Sequence, residues 1–211
     1  MTELAPFLPG FAAAFAILFV AASSPGPAVA MLLGIATTQG RAASLTAATG
    51  IATGSVVLNL TTLLGLGLLI QQTAFAMTLV RIIGSAYLAY LAWGAFRKAL
   101  NPPQISASTV PVTSLARSYS AGFLLQVSNP KAIVFWIAIA AVGATEGGGP
   151  GIIATFVAGA FLISLFCHGA WAILLSSNPV RATYNRTRHW IDAGLGGFFT
   201  VAAVKMATAR S

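Results

Sequence analysis

Ser24-Pro25-Gly26-Pro27 and Ser128-Asn129-Pro130-Lys131 each interrupt an apolar stretch long enough to cross a bilayer. Proline inside a helix removes a backbone donor and clashes with the preceding turn. In lipid the freed carbonyls cannot turn to water, so such a break persists only where protein or a wet cavity covers it. The two motifs occupy corresponding places in the two halves of the chain, and matched breaks of this kind point to a transporter's substrate site.

Composition supports the same reading. The 211 residues are 57% hydrophobic and 7% charged, against about 25% charged in a typical soluble domain. So few charges cannot cover a water-soluble fold of this length, which makes the chain an all-α integral membrane protein. The net charge of +8 does not indicate nucleic acid: the basic residues form no run and fall at segment ends, as topology determinants do. Cys167 is the only cysteine, which excludes an intrachain disulfide and a cysteine-only metal site. No phosphate-binding loop is present, so ATP is not the direct energy source, and no cofactor or metal motif is expected. Ala28-Val29-Ala30 imitates a signal-peptide cleavage site, but Glu3 and the lack of Lys or Arg before Arg41 leave no basic leader. Residues 8–33 are therefore read as a retained first membrane helix.

Six apolar segments of spanning length run at about 8–33, 43–70, 74–96, 117–142, 150–176 and 190–207. The widest polar gap, from Asn101-Pro102-Pro103-Gln104 to Arg117, divides a single domain over 1–211 into two sets of three helices. Repeat 1 covers about 8–96, a cytoplasmic linker about 97–116, and repeat 2 about 117–207. Three helices per half require the halves to face opposite ways, which is the inverted-repeat plan with broken first helices. With the N-terminus outside, the inner loops hold Arg41, Arg97, Lys98, Arg117, Arg181, Arg186 and Arg188, and the outer regions only Arg81, Lys205 and Arg210. The bias predicts both termini outside the cytoplasmic membrane.

Lys131 stands out among the polar residues. An ammonium near mid-membrane costs roughly 2.5–3.5 kcal/mol on insertion scales. It follows Pro130 at the start of a resumed half-helix, where exposed N–H groups and the dipole already favour an anion. Lysine plus helix N-terminus makes a site for a carboxylate. The alternative is a snorkelling lysine, but Lys131 lies roughly 21 Å into its segment at helical rise, far from either surface. Asn129 and Pro130 belong to the same break. Pro25, Gly26 and Pro27 form its uncharged counterpart, with Ser23 and Ser24 beside them to satisfy freed carbonyls or touch substrate.

Ser55, Asn59 and Thr62 make one polar stripe on the second segment, and Ser164, His168 and Trp171 another on the fifth. Interhelical hydrogen bonding is the default use of such stripes. His168 can also titrate near neutrality, which makes it a candidate for proton transfer or gating. Gly50-Ile51-Ala52-Thr53-Gly54 lets backbones approach closely. The acidic residues are Glu3, Glu146 and Asp192; none is expected mid-membrane. Asp192 is expected to open the last helix and to serve structure or gating.

These residues, taken in order, resemble the LysE/RhtB family of amino-acid exporters over nearly the whole chain. The points of contact are Pro25-Gly26-Pro27 with the apolar run to Gly34, then Gly40-Arg41 and Gly50-Ile51-Ala52-Thr53-Gly54. Gly84-Ser85-Ala86-Tyr87-Leu88-Ala89-Tyr90-Leu91-Ala92-Trp93 and Gly122-Phe123-Leu124 through Asn129-Pro130-Lys131-Ala132 complete the set. The resemblance implies export of amino acids or close derivatives from the bacterial cytoplasm, driven by protons, with the two breaks facing across the substrate path. One departure stands out. The family usually carries an aspartate directly after the glycine of the second-helix motif, where this chain has Ser55, and Asn59 stands near where a histidine is common.

With Lys131 and no expected intramembrane carboxylate, the site favours an anionic group. Exporting a cation against the membrane potential costs roughly 2.3 kcal/mol per 100 mV, whereas a zwitterion carries no such penalty. A neutral amino acid or acylated derivative is therefore expected over a basic one. The expected partners are that substrate, protons and the lipid bilayer, and small-residue faces permit a homodimer. Two other readings compete: a membrane subunit without a substrate of its own, and an intramembrane enzyme, for which His168 shows no evident partner serine.

Overall fold

The first apolar stretch folds as two helices, α1 (Leu8–Ser23) and α2 (Pro27–Thr38). Ser24 ends α1 in an extended conformation, φ −77° and ψ 134°, the region to which a residue before proline is pushed. Pro27 then opens α2, where its missing N–H costs nothing. The fourth stretch repeats the device. Asn129, at φ −76° and ψ 111°, separates α5 (Leu115–Ser128) from α6 (Pro130–Ala140), and the two axes turn by 60°. Unbroken helices fill the remainder: α3 (Arg41–Ile70), α4 (Ala74–Leu100), α7 (Pro150–Leu174) and α8 (Asn178–Thr208). Gly40, at φ +87°, turns the chain from α2 into α3, a conformation glycine adopts without penalty.

This computed structural model describes residues 4–70, 74–101, 114–140 and 142–208. Within them all regular secondary structure is helical. Most of the expected cytoplasmic linker, residues 102–113, lies outside the described residues. Among the described residues, three helices are long and apolar enough to cross a bilayer, Ala5–Ser23, Arg41–Gly65 and Pro150–Leu174, and the bent pair α5–α6 makes a fourth when taken as one span.

One boundary is corrected. The last helix begins at Asn178, well before the expected 190, so Asp192 does not open it but lies mid-helix and buried. The polar run Arg181–His189 hid this first half from an apolar-length criterion. The helix continues through it because Tyr184 and Arg188 turn inward and are themselves buried.

Helix α3 is central, packing on α5 and α7, while α4 packs on α8 and α1 on α7. The α3–α5 contact is backbone on backbone. A Cβ added at Gly50 would stand 2.1 Å from the Tyr119 carbonyl oxygen, and one at Gly122 would stand 2.1 Å from that of Ala47. Small residues thus set this approach, as in other membrane helix pairs. Three apolar clusters surround the breaks. The first joins Phe11 and Leu18 of α1 to Trp136 and Ile139 of α6 and Phe156 of α7, with the Phe11 and Phe156 rings 5.1 Å apart. The second packs Leu32 and Ile35 of α2 on Ala47, Ala48 and Ile51 of α3. The third joins Leu88 and Ala92 of α4 to Phe199 of α8 and Phe135 of α6.

Candidate functional site

A cavity of about 40 Å³ lies where these clusters meet, walled by both breaks together with α3, α5 and α7. That is room for a few waters and far below the roughly 150 Å³ that a benzene-sized guest occupies. The cavity as described is too small to hold an amino acid without widening.

Lys131 crosses from one half-molecule to the other. Its ammonium donates to the Ser24 hydroxyl, to the Ser24 carbonyl oxygen at 3.2 Å and to the Ala21 carbonyl oxygen at 3.4 Å. A lysine has three donors, and all three are engaged at the end of α1. Pro25 has no N–H to give the Ala21 carbonyl, which accepts instead from the Ser24 N–H and hydroxyl, and this helix end is the negative end of the α1 dipole. The Phe135 ring centroid lies 6.0 Å from the same nitrogen. Gly26 lies against the same side chain: a Cβ there would stand in ordinary contact with Lys131 Nζ, at 3.4 Å. Asn129 caps the second break, its Oδ1 accepting the Lys131 backbone N–H at 3.1 Å, which uses one of the α6 N-terminal donors that could otherwise face an anion.

The remaining wall is a neutral polar chain. Gln126 Nε2 donates to Ser55 Oγ at 2.9 Å, and Ser55 Oγ lies 3.1 Å from Ser164 Oγ. His168 Nδ1 is 3.3 Å from Ser164 Oγ and 2.9 Å from the Ser164 carbonyl oxygen. A carbonyl only accepts, so Nδ1 carries the hydrogen and cannot serve Ser164 as a base. This tautomer argues against an intramembrane hydrolase built on these two residues.

Six expected site residues meet at this cavity: Gly26, Pro27, Ser55, Asn129, Lys131 and His168. Four lie elsewhere. Pro130 is exposed at the start of α6. Pro25 lines a second cavity. Asp192 pairs with Arg188, one helical turn away, at 3.3 Å. Asn59 is 1% exposed, one turn beyond Ser55, and neither its amide oxygen nor its amide nitrogen has a hydrogen-bond partner. Gln126 joins the site without having been singled out in the sequence. Its only signal there is an amide inside an apolar stretch, three residues before a helix break.

Residues 19–210 match the LysE type translocator family. The chain is 28% identical to a threonine efflux protein of Escherichia coli (strain K12), over 90% of this chain and 94% of that one. It is 30% identical to an uncharacterized membrane protein of Pseudomonas aeruginosa, over 88% of each chain. No solved structure matches it.

Proposed function

Because this chain belongs to the LysE type translocator family, we propose that it is a secondary exporter. Its substrate is a neutral amino acid or a close derivative, moved out of the bacterial cytoplasm through the cavity between its two helix breaks. The observation that carries this reading is Lys131, an ammonium from one half-molecule held by the broken helix end of the other. The name of the threonine efflux relatives agrees with a small neutral substrate.

The mechanism follows from what Lys131 gives up. A substrate carboxylate entering the cavity competes with the Ser24 hydroxyl and the Ser24 and Ala21 carbonyls for the ammonium. Each oxygen that now holds the ammonium carries only a partial charge, whereas a carboxylate brings a full opposite charge at the same distance, so the carboxylate displaces them and frees the end of α1 from α6. Binding thereby unfastens one half from the other, and the closed cavity can enlarge. When the substrate leaves, the helix end recaptures the ammonium. The Gln126–Ser55–Ser164–His168 chain offers neutral donors and acceptors to the remainder of the substrate, and Asn59 lies on the path beyond it.

The same reading takes α1–α2, α3 and α4 as one three-helix repeat and α5–α6, α7 and α8 as its inverted copy, six spans in all. The matched pairings of each broken helix with the other half support it. The N-terminus is outside the cytoplasmic membrane, proton entry drives export, and His168 and Asp192 are the titratable groups available to couple it.

The test is efflux from preloaded cells expressing wild type or Lys131→Ala, with labelled neutral, basic and acidic amino acids. Efflux of a neutral amino acid that Lys131→Ala abolishes, with insertion intact, is the expected result. Full activity of that variant would overturn the carboxylate site.

A further inference from the structure

A second cavity, of about 200 Å³, opens behind the first break. Pro25, Gly26, Pro27, Val29 and Ala30 form one wall, and Lys98 of α4 and Arg188 of α8 the other. Gly26 and Pro27 also wall the central cavity, so only this short stretch of break separates the two spaces. Its charges are unbalanced. Lys98, Asp192 and Lys131 lie close enough to feel one another's charge, and Asp192 is paired with Arg188. Lys98 and Arg188 are the charged residues that line it, and since Asp192 pairs with Arg188 the space keeps one positive charge in excess. Lys98 is exposed and has no ion-pair partner among the described residues, while Arg188 is 7% exposed. The charge bias of the chain puts the last turn of α4 on the cytoplasmic side.

We infer that this second cavity is an inner vestibule in which Lys98 and Arg188 receive the carboxylate of the amino acid before it passes Gly26 and Pro27 to Lys131. The inference rests on the exporter reading and extends it to a second site. Positive groups along a confined path raise the local concentration of an anionic group. Handing a carboxylate from one cation to the next also avoids the large cost of leaving it unpaired in an apolar surrounding. The same field opposes a substrate with a net positive charge. An anionic lipid headgroup offers similar chemistry, so the test separates the two.

The experiment uses the full chain reconstituted in vesicles, one set of zwitterionic lipid alone and one containing anionic phospholipid, with labelled L-threonine as the probe. Wild type, Lys98→Gln, Lys98→Glu and Lys131→Ala are compared over a range of threonine concentrations on the cytoplasmic face. Lys98→Gln should raise the half-saturating concentration about two- to fivefold, the value of one exposed ion pair. Lys98→Glu should raise it further, with the maximal rate nearly kept in both. Added salt should raise the wild-type value and leave that of Lys98→Gln nearly unchanged, in both lipid mixtures. An unchanged half-saturation in Lys98→Glu would overturn the vestibule alone. An effect confined to anionic vesicles would also overturn it and assign the cavity to lipid. Threonine transport undiminished in Lys131→Ala, or absent from inserted wild type, would instead count against the central reading.

Discussion

Replacing Asn59 with leucine should make the protein more stable and a worse transporter. Asn59 is 1% exposed on α3, and both polar atoms of its amide lack a partner. The adjacent Leu58 packs with Phe11, Trp136, Ile139 and Phe156, so this turn of α3 lies in the apolar interior. A buried polar group without a partner costs about 1–3 kcal/mol. Leucine keeps the branched skeleton, removes that cost and gains about 1.5–3 kcal/mol of apolar burial, which offsets the roughly 1–3 kcal/mol of crowding from its bulkier methyls. The net expectation is a closed conformation more stable by about 1–3 kcal/mol. If the transport cycle must leave that conformation and wet the amide, the same free energy is added to each departure. Turnover should then fall about 5- to 150-fold. The assay pairs a thermal unfolding midpoint of the purified protein with its turnover in vesicles. A lower midpoint for Asn59→Leu would refute the orphaned amide. A higher midpoint with undiminished turnover would refute its place on the transport path.

Three further outcomes follow from the same geometry. Gly122→Ala and Gly50→Ala should each destabilise the protein by about 1–3 kcal/mol of overpacking, seen as a lower unfolding midpoint, because each new methyl meets a backbone oxygen at 2.1 Å. Gly94→Ala, which meets nothing within 4 Å, should be neutral or stabilising by up to about 1 kcal/mol of helix propensity. Ser24→Ala removes a hydrogen bond to a charged group, worth about 1.5–3 kcal/mol. It should loosen the hold on Lys131, so that the half-saturating substrate concentration falls while the unfolding midpoint also falls; a rise in half-saturation would contradict the displacement mechanism. Ser55→Asp puts a carboxylate into the cavity that Lys131 lines, and should lower transport of neutral amino acids relative to lysine and arginine in a competition assay.

The helix breaks were legible because proline acts locally: Pro25 and Pro130 dictate the conformation of the residue before them whatever the remainder of the fold does. The apolar stretches of α1, α3, α7 and the bent pair α5–α6 were legible because lipid imposes a length. What each polar residue meets was not. Lys131 and Ser24 are 107 positions apart, and no local pattern announces that the ammonium turns to a helix C-terminus as well as standing at an N-terminus. Gln126 went unnoticed because a single amide has no periodicity; its role exists only where α5 crosses Ser55. Asp192 was misplaced because hydropathy follows the apolar half of α8 and is blind to a helix that continues through arginines. Asn59 was legible as a polar residue in an apolar helix, but that it is orphaned is a property of packing alone.

The charge arrangement ties these observations together. In place of a full counter-charge, Lys131 is held by the end of α1, whose dipole amounts to roughly half an elementary charge. That hold satisfies the ammonium here, and on the proposed mechanism it yields to a full carboxylate. A buried aspartate at position 55 would change this balance, binding the ammonium permanently and raising the cost of releasing it to substrate. Ser55 instead contributes a hydroxyl already shared with Gln126 and Ser164, so the site keeps one net positive charge. A cationic side chain brought within about 5 Å of Lys131 would meet roughly 3 kcal/mol of repulsion at an effective dielectric near 20, enough to disfavour it by about two orders of magnitude. On the proposed mechanism, the serine that stands where the resemblance leads one to expect a carboxylate is therefore the residue that favours a neutral amino acid over a basic one.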